Sequence, residues 1–188
     1  MKSEDTKERI IQETIVLIQE MQGEIDRVTI RKIAEKAQIG TGLINHYFES
    51  KDKLINICVQ RIIEQIVQTF RVDKLTDKAP VEMTKIVACQ VMDFLMENIL
   101  ISRVSILGDL NSPQEKDNSI QTAMGFAYCM SGGVQPQDYI KKAFYLMSIL
   151  QESFLRKNVL FNNIGVDFYD KIQRDSYIGE IVDMIMGE

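Results

Sequence analysis

Proline is almost absent from this chain, three in 188 residues, and glycine numbers only ten. Gly and Pro make most of the turns that strand-rich folds need, so an all-β sandwich or barrel is excluded as the fold class. Histidine occurs once, as His46. That excludes His-rich metal sites and leaves a His-based catalytic triad with a single candidate. The three cysteines, Cys58, Cys89 and Cys129, are widely spaced. They fit reduced, buried thiols better than a disulfide framework. The sequence also lacks a CxxC pair, an HExxH helix and a phosphate-cradling glycine loop. No catalytic set, metal site or cofactor is therefore expected. The start, Met1 to Asp5, is polar and carries no apolar leader. The most apolar stretch, Ile86 to Ile101, is broken by Gln90, Asp93, Glu97 and Asn98. A membrane span rarely tolerates that polarity, so a cytoplasmic protein with no membrane partner is expected.

What is present is the balance of a globular protein, 45% hydrophobic and 26% charged residues. The formal net charge of −5 is unevenly placed. Residues 1–71 are neutral with 11 basic and 11 acidic groups, so the excess of acid lies in residues 72–188. Arg27 to Lys53 holds six basic and three acidic residues. A small basic head on an acidic body follows.

Helical periodicity runs through the chain. Ile10, Ile11, Thr14, Ile15, Leu17, Ile18 and Met21 predict a first helix, capped by Asp5 or Thr6 and stopped at Gly23. Two short helices follow, Thr29–Ala37 and Thr41–Phe48, with a break at Gln38-Ile39-Gly40. Ser50 is the expected cap of a longer helix running toward Phe70. The polar stretch Arg71 to Pro80 marks the domain boundary. Beyond it, one long apolar helix is expected from Val81 to about Leu107, then a loop over Gly108 to Pro113. Further helices are expected at Asn118–Met130, from near Pro136 to about Phe161, and from Phe168 to Ile185. The fold class is all-α with about nine helices: an N-terminal three-helix bundle and a larger C-terminal helical domain.

The two short helices carry the strongest signal. A helix-turn-helix needs a small residue where its helices cross, and apolar residues to lock the pair. Ala34, Ile39 and Ile44 fill those roles. The second helix of such a unit enters the major groove, so its outward residues Thr41, Gly42, Asn45 and His46, with Tyr47 on the flank, would face DNA. Arg31, Lys32 and Lys51 are placed to meet phosphates, which supply affinity while base edges supply the reading.

Val28 to Ala37, then Ile39-Gly40-Thr41-Gly42, then His46 to Leu54, resemble the signature of tetracycline-repressor (TetR) family regulators. The resemblance covers roughly residues 6–60. It implies an all-α homodimer with a DNA-binding domain over 1–71 and a ligand-binding, dimerisation domain over 72–188. It places Thr29 as a cap and phosphate contact, and Lys51 as a phosphate contact at the start of the fourth helix. Three residues depart from the family pattern. Gln38 stands where a turn glycine is common, Leu43 where Thr or Ser is common, and Asn45 where Tyr is common. Asn45 could instead read adenine with two hydrogen bonds.

Methionines concentrate in the middle of the chain, and methionine adapts to irregular apolar shapes. Met92, Met96, Phe126, Met130 and Met147, with Asp93 as a polar end, are the expected contacts of a small hydrophobic effector. Plain core packing explains the same residues. The last two helices carry more apolar surface than one neighbour covers, which suggests a homodimer through them. The function expected is a ligand-responsive regulator, a repressor released from a palindromic operator. A small all-α enzyme and a helical protein-interaction module are the competing functions.

Overall fold

The computed structural model describes residues 2–67 and 77–187. Among these residues there are nine α-helices and no strand. They are α1 (Lys2–Glu20), α2 (Ile30–Lys36), α3 (Thr41–Phe48), α4 (Lys51–Val67), α5 (Pro80–Glu97), α6 (Ile99–Asn111), α7 (Asn118–Met130), α8 (Ile140–Ile164) and α9 (Lys171–Met186). No described helix is long and apolar enough to cross a membrane.

The described residues form two compact units: 2–67 with 100–112, and 77–99 with 113–187. The linear boundary expected at 71/72, and the end of α4 expected toward Phe70, lie outside the described residues. The segment 100–112 groups with the first unit, although it comes from far beyond that boundary.

In the first unit α1 packs on α2 and α4, and α3 packs on both α2 and α4. Ile10, Ile18, Ile33, Ile44, Leu54 and Ile55 are fully buried and form the core. The first helix begins at Lys2, so Asp5 and Thr6 lie inside it and not ahead of it as expected. Its end is a Schellman turn. Gly23 N–H donates to the Ile18 carbonyl at 2.9 Å and Gln22 N–H to the Gln19 carbonyl at 2.9 Å. Positive φ begins at Gln22, at +53°, one place before the glycine expected to end the helix, and continues at Gly23, at +80°.

The long helix expected over Val81–Leu107 is two helices. The chain breaks at Asn98, at φ −121° and ψ 46°. Its backbone N–H and its side-chain Nδ2 both donate to the Phe94 carbonyl, each at 3.0 Å. The expected loop at Gly108 is also helical, because α6 continues to Asn111. Gly108 faces Asn56 so closely that a Cβ there would lie 3.3 Å from Oδ1. This glycine serves close packing, not a turn.

In the second unit α5, α7 and α8 pack on one another, and α9 packs on α5 and α8. Asp117 caps α7, accepting from Ile120 N–H at 2.9 Å and from Gln114 N–H at 3.1 Å. Arg174 of α9 is 7% exposed at its side chain, bonds Asp93 of α5 at 2.5 Å and donates to the Phe168 carbonyl at 2.7 Å. Lys171 reaches the other Asp93 oxygen at 2.6 Å. Asp93 therefore ties α9 to α5.

Candidate nucleic-acid interface

The helix-turn-helix forms where the sequence places it, and each part of its geometry has a local cause. Thr29 is the cap of α2, its Oγ1 accepting from Lys32 N–H at 3.3 Å. The turn after α2 repeats the Schellman pattern of α1. Ile39 N–H donates to the Ala34 carbonyl at 2.9 Å and Gln38 N–H to the Glu35 carbonyl at 3.2 Å. Gln38 takes the left-handed position at φ +53°. A side chain is held where glycine is favoured.

Ala34, Ile44 and Phe48 are buried, which fixes the face of α3 that packs inward. The outward face consists of Thr41, Gly42, Leu43, Asn45 and His46, all exposed. Tyr47 is half-buried and meets the His46 ring edge-on at a centroid distance of 5.2 Å. A Cβ built on Gly42 would meet nothing within 4 Å. The fold therefore makes no packing demand for glycine there, although glycine weakens a helix by about 0.5–1 kcal/mol relative to alanine.

The end of α3 is abrupt. Glu49 sits at φ +64°, ψ −40°, and Ser50 N–H donates across it to the Phe48 carbonyl at 2.7 Å. That is close to a γ-turn of the strained kind. Ser50 then caps α4 as expected, its Oγ accepting from Lys53 N–H at 3.2 Å.

The cations divide into committed and free. Arg27 pairs with Glu24 at 3.4 Å, Lys36 with Glu20 at 2.8 Å, and Lys53 with Glu49. Lys32 donates its ammonium to the Arg27 carbonyl at 3.1 Å. Arg31 is exposed, Lys51 is half-buried, and among the described residues neither has a side-chain partner. They sit on α2 and at the first residue of α4, on either side of α3 in sequence.

The residues expected to meet an effector lie in the second unit. Met92, Phe126, Met130 and Met147 are buried, and Met96 is half-buried. They belong to α5, α7 and α8, which pack together. Asp93 differs from the expectation of a polar pocket end, because both its oxygens are held by Arg174 and Lys171. An open depression of about 320 Å³ lies elsewhere in this unit, lined by residues of α8 and by Tyr177 of α9. Among the described residues no group of His, Cys, Asp and Glu is arranged to hold a metal ion.

Burial pushes the Cys58 thiol up to about 12, and the thiols of Cys89 and Cys129 up to about 11. Such thiols stay protonated near neutral pH and are poor nucleophiles.

Sequence reasoning passed over two features of this face. One is the exposure of Leu43, noted in the sequence only as a departure from the family pattern and found on the outward surface of α3. The other is the open space around Gly42, which no pattern of letters reveals.

Residues 21–57 match the sequence profile described as bacterial regulatory proteins, tetR family. The fold is similar to that of a TetR-like transcriptional regulator from Rhodococcus sp. RHA1, with a TM-score of 0.50 and 15% identity. The match covers 97% of each chain. At that identity the likeness speaks for the fold alone. No curated protein matches the chain.

Proposed function

We propose, from the match of residues 21–57 to the tetR-family profile and the similarity in fold, that the protein is a transcriptional regulator that binds duplex DNA through α3. One observation carries this. Thr41, Gly42, Leu43, Asn45 and His46 are exposed on the outward face of α3, and among the described residues the nearby cations Arg31 and Lys51 have no carboxylate partner. Unpaired cations are the groups that exchange condensed counterions for phosphate contacts. Thr29, Arg31, Lys32 and Lys51 would hold the backbone. Thr41, Gly42, Asn45, His46 and Tyr47 would lie along the groove.

The regulator acts by reversible binding, with no bond made or broken. A second copy pairs through α8 and α9, where Phe161, Ile172 and Met184 remain exposed at 59%, 82% and 68%. Two heads related by a twofold axis read half-sites about 34–36 Å apart, or a multiple of that. A small hydrophobic effector held among Met92, Met96, Phe126, Met130 and Met147 favours the form with the wrong head spacing. Binding of effector and operator then oppose each other reciprocally, which makes the protein a repressor that its ligand releases.

Selection of bound duplexes from a random DNA pool tests the proposal. A palindromic consensus is expected, and joint replacement of Asn45, His46 and Lys51 by alanine abolishes binding while leaving the dimer intact. Failure to retain any duplex at low salt sinks it.

A further inference from the structure

Resting on the DNA-binding proposal above, we infer that Leu43 is a specificity residue: it reads the C5-methyl group of a thymine in each half-site, brought within reach by the bare backbone at Gly42. The argument begins with helix geometry. At 3.6 residues per turn, residues 42, 43 and 46 share one side of α3. The opposite side carries Ile44 and Phe48, both buried in the first unit. Leu43 is 38% exposed, so part of its isobutyl group reaches the outward surface of α3.

A solitary surface leucine ordinarily needs no explanation. This one projects from the surface proposed to meet base edges. The apolar feature that a base edge offers in the major groove is the thymine methyl group. A leucine side chain is short, so contact requires the helix backbone to come close. Gly42 supplies that approach. It has an ordinary backbone conformation, and a Cβ there meets nothing in the protein. Neither the fold nor the turn accounts for its lack of a side chain, whereas a close-lying duplex does.

The test uses the full-length chain and the palindrome it selects from a random pool. That duplex is resynthesised with deoxyuridine in place of thymidine, one symmetric pair of positions at a time. This removes a methyl group and nothing else. For the wild-type chain, one pair of replacements is expected to weaken binding at fixed salt by about 4-fold per half-site, about 15-fold for both. For Leu43→Ala the same replacement is expected to change affinity less than 2-fold, with helicity unaltered because the site is exposed. Gly42→Ala, which fills open space, is expected to keep the fold, lower operator affinity and lose the deoxyuridine dependence. A selected half-site without thymine, a wild-type chain indifferent to every replacement, or an unchanged dependence in Leu43→Ala overturns the inference while leaving DNA binding standing. A wild-type chain that binds no duplex overturns both.

Discussion

Two side chains held at positive φ bracket α3, Gln38 before it and Glu49 after it. A left-handed conformation costs an L-residue roughly 1–2 kcal/mol, and glycine removes that cost at some loss of unfolded-state entropy. Gln38→Gly is therefore expected to stabilise the protein by about 0.5–1 kcal/mol, read as a higher midpoint in urea. Gln38→Val, β-branched at the same position, is expected to lower that midpoint. The cysteines support a second expectation. Burial raises the titration of Cys58 to about 12, and that of Cys89 and Cys129 to about 11. Only the thiolate attacks a disulfide reagent, so the folded protein should react slowly from pH 7 to pH 9. All three thiols should react rapidly once denaturant is added. Rapid labelling of the native chain at pH 7 would remove this account of the cysteines.

Elements were legible where a local signal and the tertiary packing agreed. Thr29 and Ser50 are caps in the sequence and caps in the structure, so the starts of α2 and α4 followed from them. Ala34 and Ile44 predicted the helix-turn-helix because small and apolar residues at that spacing admit few other crossings. Asn98 was not legible as a break. The apolar pattern continues through it, and its stop signal is a side-chain bond to Phe94 that composition does not show. Gly108 misled for the opposite reason, since it resembles a turn but packs against Asn56. Within the interface, residue types pointed to the outward face of α3. Which cations are free depends on distant carboxylates such as Glu20, and only the fold brings them near. That division yields a prediction. Arg31→Ala and Lys51→Ala should each reduce the slope of log affinity against log salt by about 0.9 per head. Lys53→Ala should change it less, because Lys53 is already paired with Glu49. Asp117 offers a purely structural counterpart. Asp117→Ala removes the acceptor of two backbone N–H groups at the start of α7 and should cost about 1–2 kcal/mol in chemical denaturation.

The assembled protein depends on a tie and on an uncovered face. Asp93→Ala would leave the buried Arg174 guanidinium without its carboxylate, and breaking such a pair costs about 3–5 kcal/mol. Partial exposure of Asp93 puts the expected loss at the lower end of that range. The exposed flanks of α8 and α9 make a different prediction. Ile172→Glu adds a charge where the side chain is 82% exposed in a single chain, so monomer stability should hold. If a twofold partner covers that position, sedimentation should show a shift from dimer to monomer, together with weaker binding to a two-half-site operator. An unchanged mass would remove α9 from the proposed dimer contact.

The chain leaves the first unit after α4 and returns to it with α6, where Asp109 accepts a 2.6 Å bond from Gln60 and Ile101 lies beside Gly23. During synthesis, the head gains these contacts only after residue 109 has left the ribosome exit tunnel, some forty residues after α4 is complete. Until then Gln60 and the loop at Gly23 have no α6 to meet, so the first unit is completed only after much of the chain that follows α4 has been made.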